Sequence, residues 1–583
     1  MGLLEVMVAG YPVLLVRNRK EFRALGSKCP HYGAPLSKGV LRGERLRCPW
    51  HGACFNIRTG DIEEYPALDC ISCFKVTVED GKVFITAKKK VLTLPAVTEH
   101  RQCLGLHVTR AFCTLLQDLE SSLRVKDTSR RCLLNKNTML LLGGGVAALV
   151  CAETLRQEGF TGRIIMATNE KHVPYDKSKL SKEMNLKAED IYLRKPEFLE
   201  AQGIEFWTEK EAVSVDFQKQ EVHFMDGSSQ KYHQLLIATG SHSGFLKVPG
   251  ADLQNICTLQ NPEESSKILE LATGKNLVIV GASFIGLQTK ARLPGCLHQP
   301  GTQMESPCSL EQQQSCLPGF WLGTAVFIAW NFLMNTQTSP FQMLQNKGVK
   351  FHMKTELCEL KGKDGKVTEA VLANGENLPA DVVVVGIGST PNSVFLKGTS
   401  IARDDKGAIL VNLHMQTNIP NVFAAGDVVT FPVALLDGDS SSICHQQVAE
   451  AHGEAQPRHL PAPLEMGMGQ KGQQETWGTI FKDLQCWFVT GHCAALNMLK
   501  RGKELHTVPY FWTTLLGKSI RYAGCGKGYT DTVVKGSLEQ QKFLIFYIRD
   551  GHVTAAASLN CDPMVSLIAE VLYLGKQISK EEA

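Results

Sequence analysis

Two short segments of this 583-residue chain hold its most reactive donor sets: Cys29-Pro30-His31-Tyr32-Gly33 and Cys48-Pro49-Trp50-His51-Gly52. Each pairs one thiol with one imidazole inside a loop framed by Pro and Gly. Two thiolates on one iron and two imidazoles on the other make a Rieske [2Fe–2S] cluster, and neutral imidazole in place of thiolate raises its reduction potential. Cys29 and Cys48 are then the thiolate ligands and His31 and His51 the imidazole ligands, with Gly33 and Gly52 letting the loop tips close over the metal. A structural zinc site takes the same ligand types. Zinc knuckles usually present each cysteine pair or histidine pair together, whereas here Cys-then-His occurs twice. Of the other nearby thiols, Cys54 reads as a small core residue. Cys70 and Cys73 form a C-x-x-C in what reads as a strand, Cys73–Val78, where alternation would turn them to opposite sides and have them serve structure.

The elements that must position these loops are short apolar runs with Gly punctuation, from Val13–Val16 to Val83–Thr86. They predict a small all-β module over residues 1–92. A polar, irregular stretch over 93–137 reads as a linker. The pattern then becomes α/β. Met139–Leu142 is a buried strand running into Gly143-x-Gly145-x-x-Ala148 and a helix, the order of a dinucleotide fingerprint. Gly143 makes the tight turn, Gly145 lets the backbone approach a pyrophosphate, and Ala148 allows close helix–strand packing. The next strand, Arg163–Thr168, ends near Glu170, placed for a ribose hydroxyl. A second unit starts at Asn276–Val280 and enters Gly281-Ala282-Ser283-Phe284-Ile285-Gly286. Two such units suggest two nucleotides, usually flavin and nicotinamide. Leu235–Ala238 leads into Thr239-Gly240, and Val422–Ala425 into Gly426-Asp427, where Asp427 would reach the ribityl and phosphate end of a flavin.

Lys+Arg 62 against Asp+Glu 58, a formal charge of +4, gives no large field to draw in nucleic acid or acidic lipid, so no nucleic-acid partner is expected. Nineteen cysteines without a readable secretory leader point to reduced thiols in the cytosol or the mitochondrial matrix. Length and a 44% hydrophobic content allow several buried cores.

Together these residues resemble the two-dinucleotide flavoprotein reductases, and specifically the Rieske-containing apoptosis-inducing factor-like proteins (the apoptosis-inducing factor 3 family), over most of the chain. In that resemblance Pro174–Lys182 is a flavin-binding stretch in which Lys177 replaces the usual arginine and Lys182 lies over the flavin. Ala212 touches the adenine by its backbone, and Trp512, in Val508-Pro509-Tyr510-Phe511-Trp512, borders the flavin. The implied architecture is a Rieske domain (1–92), a linker (93–137), an FAD-binding domain in two parts (138–265 and 396–505), an NAD(P)H-binding domain (266–395) and a C-terminal α+β reductase domain (506–583). The implied chemistry runs from NAD(P)H through FAD to the [2Fe–2S] cluster and on to an unidentified acceptor, with no side chain acting as a general acid or base. The resemblance also implies a mitochondrial setting and a part in apoptosis.

Several features depart from that pattern. Pro294-Gly295 interrupts the helix expected after Gly286, and residues 294–346 are irregular. Glu305 lies near the expected distance for a ribose-binding acid, but its surroundings read as containing no strand. Ser283 replaces a glycine, and Gln288 stands where the family has a glutamate that pairs with the flavin-side lysine. The apolar run from Leu317 to Met334 reaches the minimum length for a membrane span, although its prolines and glycines favour a replaced or mis-spliced segment. Residues 454–491, rich in Gly, Gln and Pro, read as an insertion without helical period inside a helix that starts near His445 and continues from His492. These departures leave a second reading open, a redox-signalling or cell-death protein that keeps its cofactors without NADH turnover.

Overall fold

The computed structural model describes residues 2–88, 99–104, 123–281, 303–305, 349–352, 355–432, 440–441 and 484–583 apart from 516, 527 and 538. The N-terminal module is all-β. One antiparallel sheet carries Gly2–Val8, Tyr11–Asn18, Glu21–Gly26, Cys73–Glu79, Lys82–Lys88 and Glu99–Leu104 in that order. A smaller sheet of Val40–Arg42, Arg45–Arg47, Cys54–Asn56 and Ile62–Glu64 bears the second Cys/His loop between its middle strands. Cys70 is buried and Cys73 exposed, but they lie on two strands, Cys70–Ile71 and Cys73–Glu79, and not on the single strand expected.

The stretch read as a linker contributes more than a tether. Glu99–Leu104 adds an edge strand with Thr86 opposite Arg101, and Leu123–Arg124 pairs with Cys70–Ile71. Edge strands tolerate polar residues on both faces, so period-two hydrophobicity did not betray them.

The flavin-type domain is built on a parallel sheet ordered Ile204–Trp207, Arg163–Ala167, Thr138–Leu142, Gln234–Ile237 and Val422–Ala424. Every residue of Thr138–Leu142 is buried, as expected for a strand covered on both faces. The strand from residue 422 beside that from residue 234 shows why this domain needs two separate parts of the chain.

The second parallel sheet runs Ile256–Cys257, Val382–Val385, Leu277–Val280, Gln303–Glu305 and Lys350–His352. This corrects the expectation that no strand surrounds Glu305: Gln303–Glu305 pairs in parallel with Val278–Val280 and with Lys350–His352. A three-residue strand flanked by Gly301 and Pro307 is too short to show periodicity. Ser283, Gly286, Gln288, Pro294-Gly295, the apolar run 317–334 and the helix start near His445 lie outside the described residues. Among the described residues no helix is long and apolar enough to cross a membrane.

The insertion boundary also moves. A helix spans Leu484–Met498, so the last eight residues assigned to the insertion are helical. Gly491 in its middle misled the reading. A Cβ there would lie 2.2 Å from the Ala147 carbonyl oxygen, so the glycine permits close helix crossing and does not mark a break.

The C-terminal domain is an antiparallel sheet ordered Tyr510–Leu515, Lys518–Gly524, His552–Leu559, Lys542–Arg549 and Asp531–Ser537, with the helix Met564–Tyr573 against it. That helix also meets the small sheet of the N-terminal module, and this contact places the two Cys/His loops.

Candidate functional site

The two loops are copies of one design. The Cys29 N–H donates to the Ala34 carbonyl at 2.9 Å and the Cys48 N–H to the Ala53 carbonyl at 2.7 Å, five residues on in each case. Gly33 and Gly52 take φ of +72° and +74°, the left-handed conformation that closes each tip. Like faces like across the gap. The Cys29 and Cys48 thiols shift each other's pKa, and backbone N–H groups of His31 and Tyr32 lower that of the first sulfur as those of Trp50 and His51 lower that of the second. His31 Nδ1 and His51 Nδ1 stand 3.0 Å apart. Burial pushes the His31 imidazole down to about 3 and His51 well below its ordinary value, which keeps both in the neutral form that binds metal. A thiol pair beside an imidazole pair is the donor set that two irons of unlike ligation need, so the four predicted ligands fit the cluster.

The ring of Trp512 packs on this pair, with centroids 4.7 Å from His51 and 5.7 Å from His31. Tyr510, two residues earlier on the same strand, lies against Gly52, where a Cβ would be 3.0 Å from its ring. Tyr32 donates to the Asp176 carboxylate, which also accepts from the Ser178 hydroxyl at 2.6 Å. Burial, with Asp176 adding to it, pushes the Tyr32 hydroxyl far up in pKa, so it stays a donor. The cluster loops therefore touch both the C-terminal domain and the stretch read as flavin-binding.

A cavity of about 430 Å³ opens at the carboxyl ends of the first parallel sheet. Of the predicted flavin residues, Gly143, Gly145, Glu170, Lys177, Ala212, Thr239, Gly240 and Asp427 all line it. Gly143 has φ +131°, and a Cβ there would sit 2.1 Å from the Ala238 carbonyl oxygen. At Gly145 a Cβ would meet nothing within 4 Å. This open space lies at the N-terminus of the helix Val146–Gln157, which has no side-chain cap, so free backbone N–H groups face a cradle suited to a pyrophosphate. Ala148, in the first turn of that helix, is fully buried. Lys177 pairs with Glu170 at 2.7 Å, and Asp427 accepts from Ser241 at 3.1 Å. The residues fit a flavin dinucleotide.

Lys182 and Trp512 do not line this cavity. The charge of Lys182 reaches His31 and His51, and Trp512 lies on those two rings, so both stand toward the cluster. Gly281 ends the strand Leu277–Val280 at φ +102°, with a Cβ that would lie 2.5 Å from the Gly386 carbonyl oxygen, the same close turn as Gly143 in the other sheet.

The sequence reading missed Asn392, which ties Thr239 into place by a 2.9 Å bond to its carbonyl while accepting from its hydroxyl at 2.7 Å. It also missed His492, whose Nδ1 lies 3.0 Å from the Thr154 hydroxyl and 3.2 Å from that of Tyr65 in the N-terminal module. No local motif marks either residue.

A paired thiol and imidazole centre set on a reductase with two dinucleotide folds defines an NAD(P)H-dependent flavoprotein oxidoreductase that carries its own Rieske domain. Residues 137–453 match the pyridine nucleotide-disulphide oxidoreductase model, residues 2–75 the Rieske [2Fe-2S] domain and residues 510–583 the reductase C-terminal domain. The chain is 41% identical over 579 residues to Apoptosis-inducing factor 3 of Mus musculus and of Homo sapiens, covering 99% of this chain and 83% of each relative. It belongs to the Rieske-containing apoptosis-inducing factor 3 branch of the pyridine nucleotide-disulphide oxidoreductase family. Rhodocoxin reductase of Rhodococcus erythropolis is 25% identical over 428 residues, 73% of this chain and 86% of that one. A solved ferredoxin reductase from Rhodopseudomonas palustris shares the fold with a TM-score of 0.61 at 22% identity, over 76% of this chain and 96% of that one. The cofactors of the chain are accordingly FAD, NAD(P)H and one Rieske cluster, which removes the zinc alternative.

Proposed function

We propose that this chain passes electrons from NAD(P)H through FAD to its own Rieske cluster and from there to a one-electron acceptor. When bound, the flavin takes two electrons as a hydride and releases them singly, which matches a two-electron donor to a one-electron cluster. The observation that carries the reading is Trp512, whose indole packs on both cluster histidines while Asp176, beside Lys177 of the flavin cavity, holds Tyr32 of the cluster loop.

In this reading Cys29, Cys48, His31 and His51 hold the cluster. Gly143, Gly145 and Ala148 shape the pyrophosphate cradle, Glu170, Lys177, Ala212, Thr239, Gly240 and Asp427 hold the rest of the flavin nucleotide, and Lys182 stands between the two cofactors. Gly281 and Gly286 serve the nicotinamide nucleotide. The strand Gln303–Glu305 supports a retained nicotinamide unit, since it supplies the second strand and terminal acid that such a unit uses. A part in cell death, indicated by the relatives' name, is proposed for this chain as a consequence of that redox chemistry.

The test is anaerobic addition of NADH to the purified holoprotein, followed by visible and electron paramagnetic resonance spectra. Flavin bleaching followed by a Rieske-type signal is expected. Cofactors that only dithionite reduces would overturn the reading in favour of a protein without turnover.

A further inference from the structure

The strand Arg45–Arg47, which leads directly into the second cluster loop, places Arg45 and Arg47 on one face by its period of two. Both guanidiniums reach Glu570 on the C-terminal helix: Arg45 Nε donates to Oε1 at 2.7 Å and Arg47 Nε to Oε2 at 2.8 Å. Arg47 also donates to the Gly52 carbonyl at 2.9 Å, inside the cluster loop itself, and to Glu64 at 2.7 Å. Arg47 and Glu570 are each 1% exposed, so this is a desolvated clamp between two domains. Arg45 lies over the Tyr573 ring at 4.1 Å, one turn further along the helix.

One turn earlier on that helix, Ser566 donates to the Cys48 carbonyl at 3.1 Å and bonds the Tyr510 hydroxyl at 2.9 Å. Positions 566 and 570 share a helix face, and positions 510 and 512 share a strand face. One surface of the C-terminal domain thus grips the Cys48–Gly52 loop at several points around Trp512. Glu64, Glu570 and the Cys54 sulfur lie within 4.8 Å of one another, as ligands of a cation would, but both carboxylates already face guanidiniums. The group is an ion-pair lock.

We propose that Glu570 is a positioning residue: by engaging Arg45 and Arg47 it fixes the Rieske domain against Trp512, making that domain a stationary acceptor in cis. The assignment rests on the electron route proposed above. A stationary domain occupies the reductase face at Trp512, so an external one-electron acceptor draws from the cluster and does not dock at the flavin. Removing one partner of a desolvated ion pair strands the other charges, whereas the docked state satisfies all of them.

The experiment uses the full-length holoprotein and the variants Glu570→Gln, which keeps shape without charge, and Glu570→Arg, which adds a third cation to the clamp. Hydroxyl-radical footprinting reads exposure of Tyr510, Trp512 and Tyr573, and stopped flow reads flavin bleaching and cluster reduction separately after NADH addition. Expected are faster labelling of those three rings, cluster reduction slowed by at least about tenfold, flavin bleaching at the wild-type rate, and an unchanged cluster spectrum. Should Glu570→Arg fail to fold, Glu570→Gln decides. Labelling that matches wild type in the folded variants would overturn the inference. A wild-type cluster that NADH never reduces would overturn the electron route instead, and the footprint would still report docking.

Discussion

Trp512 packs its indole 4.7 Å from the imidazole of His51, ring centre to ring centre, joining a residue of the last domain to a candidate cluster ligand of the first. Trp512 is 8% exposed, so it contributes to the core as well as to the redox interface. Truncation to Ala should cost about 3–5 kcal/mol and confuse the two roles. Trp512→Phe separates them: cluster reduction should slow more than flavin bleaching, while cluster content stays at the wild-type level. Equal slowing of both steps in stopped flow would remove Trp512 from the path.

Gly143 and Gly145 should fail in different ways. At Gly143 an Ala side chain meets both a left-handed φ and the Ala238 carbonyl, so Gly143→Ala should destabilise the apoprotein by about 3 kcal/mol or more. Gly145 has φ −92° and open space, so Gly145→Ala should leave apoprotein stability within about 1 kcal/mol. Its methyl group then stands in the pyrophosphate cradle and should weaken FAD binding. Thermal melts of the apoproteins and FAD titration by fluorescence quenching distinguish the two.

Gly491→Ala would push the helix Leu484–Met498 away from Ala147, which lines the flavin cavity. A loss of about 1–3 kcal/mol is expected, together with faster FAD release. Unaltered FAD retention on gel filtration would argue that the helix crossing does not support the cavity.

His492 sets a pH dependence. Burial pushes its imidazole from 6.5 down to about 4, and its Nδ1 lies within hydrogen-bond distance of the Tyr65 and Thr154 hydroxyls. The unfolded chain therefore binds a proton that the folded chain refuses. Stability from this group is full above pH 6.5 and falls as pH drops from there toward 4, by up to about 3 kcal/mol. His492→Gln should flatten that part of the pH–melting curve, as read by differential scanning calorimetry.

Much of this protein was legible from local pattern. The loops at Cys29 and Cys48 announce their proposed chemistry because the candidate metal ligands and their turn residues sit within five positions of one another. Leu140–Leu142 and Val382–Val385 announce buried strands because both faces must be apolar. The same logic failed at Gln303–Glu305, where three residues are too few for a period, and at Gly491, where a residue that usually interrupts helices serves close packing. It also failed at Glu99–Leu104, where an edge strand keeps polar side chains.

The sequence by itself determined the class of reaction and pointed to the candidate cluster ligands and flavin cradle, since each rests on side chains or glycines close together along the chain. Only the tertiary structure decided where the cluster stands. The contacts that seat it, Arg47 with Glu570, Tyr32 with Asp176 and His51 with Trp512, join residues more than a hundred positions apart. No periodicity or motif encodes a partner at that separation; burial of apolar surface between domains, and the need of each buried charge for an opposite one, select it.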